Sequence, residues 1–140
     1  MLLNKILVPI DGSEHAEKAL TYALELAETC DADVEVLTVV PEVVNSPEWM
    51  KDYTEKMKEK GEELLSKALR RAEEDRLGIR ASKRLVEGSA DLKILEVADE
   101  GGFDIIIMGS RGLGAVKRFL LGSVSNKVVN QSEIPVLIVK

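Results

Sequence analysis

Apolar positions along the chain fall into two patterns. Four short, nearly continuous apolar runs read as strands buried on both faces: Lys5 to Ile10, Val34 to Val40, Asp104 to Met108, and Pro135 to Val139. A fifth run, Ile79 to Glu87, alternates loosely and carries Arg80, Lys83 and Arg84, the pattern of an edge strand. Between the runs lie stretches with helical periodicity. Ser13 is the expected cap of a helix with Glu14 and Glu17 in its first turns and Ala16, Ala19, Leu20, Ala23, Leu24, Ala27 and Cys30 on its core-facing stripe. Ser46-Pro47 supplies the expected cap and first-turn proline of a long helix ending before Gly78. Its stripe of Trp49, Met50, Tyr53, Met57, Leu64, Leu65, Ala68, Leu69 and Ala72 reads as core. Gly88-Ser89 opens a third helix through Leu92, Leu95 and Ala98, closed by Gly101-Gly102, and a short fourth helix begins near Ser123.

Strands and helices therefore alternate, apart from one long loop before the last helix. Alternation implies parallel pairing through right-handed crossovers, hence an α/β doubly wound sheet with helices on both faces. No repeat, linker or low-complexity segment divides residues 1–140, which read as a single domain. In such sheets ligands bind beyond the carboxyl ends of the strands, where the winding direction reverses. The strand-to-helix loops are the places to look for chemistry.

Composition narrows the functions. With two Phe, two Tyr and one Trp, the core must be aliphatic and surfaces for stacking bases are scarce. The formal net charge of -6 opposes nucleic acid and anionic membrane, so neither is an expected partner. Cys30 is the single cysteine, which rules out an intrachain disulfide or a cysteine-built metal centre. The start Met1-Leu2-Leu3-Asn4-Lys5 does not read as a signal segment and no run of apolar residues is long enough to span a bilayer; a soluble, cytoplasmic protein is expected.

The loop after the fourth strand, Gly109 to Ser125, holds Gly109, Gly112, Gly114 and Gly122. Glycines let several backbone N–H groups converge on an anion, and Gly122-Ser123-Val124-Ser125 also begins a helix, whose unpaired N–H groups point the same way. Ser110, Ser123 and Ser125 add hydroxyls, while Arg111, Lys117 and Arg118 add positive charge to an acidic chain. Two common phosphate motifs are absent: no Gly-Lys-Ser/Thr ending occurs, and Lys117 stands where the dinucleotide fingerprint needs its third glycine. His15, the single histidine, reads as an exposed residue without a special role, and nothing resembles a hydrolytic triad or a carboxylate dyad.

The spacing of Gly109, Gly112 and Gly122-Ser123, glycine, two residues, glycine, nine residues, glycine and a hydroxyl residue, resembles the ATP-binding branch of the universal stress protein family. The opening Lys5 to Ser13 and the closing Pro135 to Val139 resemble the family's first and last strands, so the likeness covers essentially the whole chain. It implies a five-stranded parallel sheet of order 3-2-1-4-5, similar to the adenine nucleotide alpha hydrolase folds. It also implies a site by position: Pro9, Asp11 and Val39 on the adenosine side, Met108 and Gly109 beneath the ribose, and Arg111, Gly112, Gly122, Ser123, Val124 and Ser125 on the phosphates. ATP is the implied ligand, with Mg2+ or Mn2+ held through the phosphates.

The function so implied is a nucleotide-dependent switch in stress response, with at most slow ATP hydrolysis and an unnamed protein partner. A nucleotide-independent dimeric scaffold is the alternative, and an adenylating enzyme a third. The apolar run Pro135 to Val139 has no charge before Lys140, so antiparallel pairing of two copies of this strand is the expected route to a homodimer, as in the family.

Overall fold

The computed structural model describes residues 2–42, 47–75, 78–113 and 121–140. Five strands, β1 (Lys5–Pro9), β2 (Asp33–Val40), β3 (Ala81–Glu87), β4 (Ile105–Gly109) and β5 (Val136–Val139), form one sheet of order β3-β2-β1-β4-β5. Every pairing is parallel, and β1 is central, with Ile6 opposite both Val34 and Ile105. Helices α1 (Glu14–Cys30) and α2 (Lys51–Asp75) cover one face; α3 (Ala90–Glu100) and α4 (Ser123–Gln131) cover the other. The winding reverses between β1 and β4, as the family resemblance implies.

Two aliphatic cores result. On the first face Ile6, Val8, Val34 and Val36 meet Ala19, Leu20, Ala23 and Leu24 of α1 and Leu65, Ala68 and Ala72 of α2. On the second, Leu7, Leu37 and Ile106 meet Ile94, Val97 and Ala98 of α3 and Val128 of α4. The alanine stripe of α1 lets that helix lie close to the sheet. Ser13 caps α1, its hydroxyl accepting from Ala16 N–H at 3.2 Å.

Several expected core positions lie outside these cores. Cys30 is exposed. The last turn of α1, Glu28 to Cys30, is open to solvent throughout, so the buried stripe ends at Ala27. Trp49, just before α2, and Tyr53 in its first turn are 76% and 56% exposed. The reason is length. A 25-residue helix is about 37 Å long, whereas the longest strand, 8 residues, spans about 26 Å. Gly61 of α2 packs on Thr38, Val40 and Leu85 near the carboxyl ends of β2 and β3, so the turns before it project past the sheet. The periodicity of Trp49, Met50, Tyr53 and Met57 is real, but no sheet lies beneath their end of the helix. Pro47 opens a single 3-10 turn, Glu48–Met50, rather than the first turn of α2, and Ser46 lies outside the described residues. In α3 the buried set is Ile94, Val97 and Ala98, while Leu92 is 59% exposed on the opposite side of the helix.

Candidate functional site

A cleft of about 430 Å3 opens at the carboxyl ends of β1, β2 and β4, across the reversal point. That volume is within the range of small-molecule sites. All eleven residues picked out from the sequence line it: Pro9, Asp11, Val39, Met108, Gly109, Arg111, Gly112, Gly122, Ser123, Val124 and Ser125. Its floor and one wall are apolar, adding Ile10, Leu37, Ala90 and Ile94 to Pro9, Val39 and Met108. The other wall is the glycine-rich segment and the start of α4. Ala90 and Ile94 were not anticipated from the sequence. The signal was available, because α3 begins directly after β3 and so brings its first turns to the same end of the sheet.

The three glycines of the motif owe their identity to three different surroundings. A Cβ on Gly109 would stand 2.7 Å from His15 Cβ and 2.8 Å from His15 carbonyl carbon, so the first turn of α1 rests directly on the end of β4. A Cβ on Gly112 would collide with Asp11 Oδ2. Among the described residues, a Cβ on Gly122 would meet nothing closer than Arg111 Cα at 3.5 Å, an ordinary contact. Gly122 also has φ -71° and ψ 169°, a conformation open to any residue. Neither the packing of the described residues nor the backbone at Gly122 demands a glycine there.

Around these glycines the backbone is held by a short network. Ser110 N–H donates to Val139 carbonyl at 2.8 Å, and Ser110 carbonyl accepts from Gly122 N–H at 2.7 Å and from the Ser125 hydroxyl at 2.7 Å. The Ser110 hydroxyl, expected to face a phosphate, is instead buried against His15 Nδ1 at 3.2 Å, outside the cleft lining. His15 accordingly is half-buried behind the loop rather than exposed. The Ser125 hydroxyl donates inward, whereas Ser123 is exposed on the cleft wall.

Gly122 occupies the cap position of α4 and has no side chain to satisfy the first-turn N–H groups. The first helical bond runs from Asn126 N–H to Gly122 carbonyl at 3.0 Å, so the N–H groups of Ser123, Val124 and Ser125 have no carbonyl behind them within the helix. These residues line the cleft, which gives it the positive end of a helix dipole. Arg111 lines the same wall. Lys117, Arg118 and Gly114 lie outside the described residues.

Asp11 is the carboxylate of the lining. Its Oδ1 accepts from Ser13 N–H at 2.9 Å and its Oδ2 from Leu113 N–H at 3.0 Å. At the mouth beside Ala90, the Ser89 hydroxyl donates to Asp91 Oδ1 at 2.5 Å and holds the Asp91 carboxyl below its ordinary range; Lys127 of α4, 3.4 Å away, acts in the same direction. This pair ties the start of α3 to the middle of α4. Among the described residues, no three His, Cys, Asp or Glu side chains converge as metal ligands, and no helix is long and apolar enough to cross a membrane.

The fold and the cleft together define a Rossmann-like doubly wound α/β protein with a glycine-built recess at its reversal point. The chain belongs to the universal stress protein family, whose family model matches residues 3–140. A universal stress protein of Methanocaldococcus jannaschii is 36% identical over 143 residues, covering 99% of this chain and 83% of that protein. Among solved structures, a universal stress protein of Lactobacillus plantarum superposes with a TM-score of 0.87 at 21% identity, covering 100% of this chain and 99% of that one. A universal stress protein solved in complex with cAMP superposes with a TM-score of 0.79 at 28% identity, covering 100% and 99%.

Proposed function

We propose that this cleft binds an adenine nucleotide, ATP with a divalent cation bridging its phosphates, and that occupancy acts as a switch in stress response rather than as a step in rapid turnover. The observation that carries this reading is Gly122: it is a glycine where, among the described residues, a Cβ would meet only ordinary contacts, on the wall formed by the start of α4. A glycine in that setting serves whatever approaches from the cleft, and helix-start N–H groups suit phosphate oxygens. The apolar side formed by Pro9, Val39, Met108 and Ile94 suits a purine and ribose. Gly109 and Asp11 stand between the two sides, and Arg111, Gly112, Ser123, Val124 and Ser125 surround the phosphate end. The relative solved with cAMP supports the adenine class.

Magnesium or manganese would neutralise phosphate charge, its protein contacts limited by the lack of a ligand cluster among the described residues. The described lining offers no histidine, and the Asp11 carboxylate is hydrogen-bonded through both oxygens, which favours a switch over a hydrolase. The protein is further proposed to dimerise through β5, a sheet edge on which Leu137 is 39% exposed.

Calorimetric titration of nucleotide-free protein with ATP and magnesium tests the proposal. Saturation near one ligand per chain is the expected result. Absence of heat, together with no rise in melting temperature on adding ATP, AMP or cAMP, would leave a nucleotide-independent scaffold as the better account.

A further inference from the structure

We infer that Asp11 is a positioning residue: its carboxylate clamps the Arg111–Leu113 arm of the recess onto the β1–α1 turn and so sets the geometry of the anion-binding wall before any ligand arrives. The ligand part of this inference rests on the nucleotide reading above; the clamp itself does not.

Three observations carry it. The first is chemical. A bare carboxylate beside a phosphate would repel it, but the Asp11 carboxylate in the lining is not bare. Both its oxygens are committed to backbone N–H groups, one on Ser13 at 2.9 Å and one on Leu113 at 3.0 Å, 102 residues away in sequence. Bonds from N–H to an ionised acceptor are the stronger kind. The second observation is Gly112. Its φ is not among the positive values, so its backbone does not require glycine; what excludes a side chain is the Asp11 oxygen itself. The third is the far side of the wall, where Ser110 carbonyl holds Gly122 N–H and the Ser125 hydroxyl. The two sides are fixed by different groups, and on the Leu113 side Asp11 supplies the bond.

The clamp makes a prediction that a simple ribose contact does not. In nucleotide-free protein, residue-resolved amide exchange at Leu113 should accelerate about tenfold or more in Asp11→Ala, the size of one charge-assisted bond lost. It should accelerate less in Asp11→Asn, whose single carbonyl can serve Ser13 or Leu113 but not both. Gly112→Ala, which breaks the same contact from the other side, should accelerate exchange in the parent and add nothing in an Asp11→Ala background. Unchanged Leu113 exchange in Asp11→Ala, or fully additive effects in the double variant, overturns the clamp.

The second arm titrates the parent and Asp11→Ala with ATP and with inorganic tripolyphosphate, each with magnesium. Loss of a preset wall weakens both ligands. If only ATP weakens while tripolyphosphate binds equally or more tightly, Asp11 acts on the nucleoside and the positioning role is refuted. If the parent binds neither ligand, the nucleotide reading fails and the exchange arm alone decides the clamp.

Discussion

Replacing Gly122 by alanine separates the fold from the site. In the folded protein the added Cβ meets Arg111 Cα at 3.5 Å, Ser110 carbonyl oxygen at 3.6 Å and Ser125 Oγ at 3.7 Å, all ordinary van der Waals distances. The backbone at φ -71° and ψ 169° suits alanine without strain. Two small effects oppose each other. Alanine is a poorer helix cap than glycine, a loss of roughly 0.5–1 kcal/mol. Against that, alanine restricts the unfolded chain, a gain of about 0.4–1 kcal/mol where the native conformation is compatible. The expected net change in stability is therefore within about 1 kcal/mol of zero, or a few degrees in Tm.

Affinity should behave differently. A methyl group on the recess wall keeps a phosphate oxygen from at least one N–H of the α4 start, and one charge-assisted bond is worth about 1.5–3 kcal/mol, roughly 10- to 150-fold in Kd. Parent and variant, both stripped of nucleotide, would be compared by calorimetry with magnesium and ATP and by thermal melting without ligand. A variant that melts with the parent but binds at least tenfold more weakly is the expected result. Equal affinity in a folded variant would refute the assignment of Gly122 to the ligand, and with it the observation on which the functional proposal stands. Gly122→Val should exaggerate the loss.

Other outcomes follow from the same contacts. Gly109→Ala forces a Cβ to within 2.7 Å of His15 Cβ, 2.8 Å of His15 carbonyl carbon and 3.0 Å of Ala16 N, all atoms of the rigid start of α1, and should cost about 1–3 kcal/mol in urea denaturation whether or not nucleotide is present. Leu20→Ala removes a fully buried side chain between α1 and the sheet and should cost about 3–5 kcal/mol by the same measurement. Because the Asp91 carboxyl titrates below its ordinary value in the folded protein, its bonds to Ser89 and Lys127 stabilise the fold fully above the ordinary carboxylate range. That contribution disappears as pH falls through the lowered folded value, so stability measured against pH should show a shallower acid limb in Asp91→Asn. Light scattering should report a dimer for the parent and a monomer for Leu137→Lys with an unchanged circular dichroism spectrum; a monomeric parent at micromolar concentration would end the β5 proposal.

The fold was legible because a parallel sheet writes its strands as continuous apolar runs, and runs such as Ile105 to Met108 have no competing reading in a chain of this length. What the pattern could not convey was where one element ends relative to another. Trp49 and Tyr53 have the spacing of a core stripe, yet burial depends on whether a sheet lies beneath them, and α2 is longer than any strand it covers. Cys30 likewise has the spacing of the α1 stripe but lies in the exposed last turn of that helix, past Ala27. Periodicity fixes the face of a helix that could be buried; the length of its partner decides how much of that face is buried.

The site was legible to the extent that its chemistry belongs to the backbone. Glycines and a helix start can be read from spacing alone, so all eleven residues placed by spacing and resemblance line one cleft. Roles were harder, because each depends on a contact far away in sequence. His15 meets Ser110 across 95 residues and Asp11 meets Leu113 across 102, and no local pattern records either pairing. The consequence for the glycine motif is specific. Gly109 is small because α1 rests on it and Gly112 is small because Asp11 does; of the three, Gly122 alone would meet only ordinary van der Waals contacts among the described residues if it carried a Cβ. A motif read as three equal phosphate contacts would therefore assign to the ligand two glycines that the protein already needs for itself. It follows that substitutions at Gly109 and Gly112 confound folding or loop geometry with binding, and that the direct evidence for a ligand must come from Gly122.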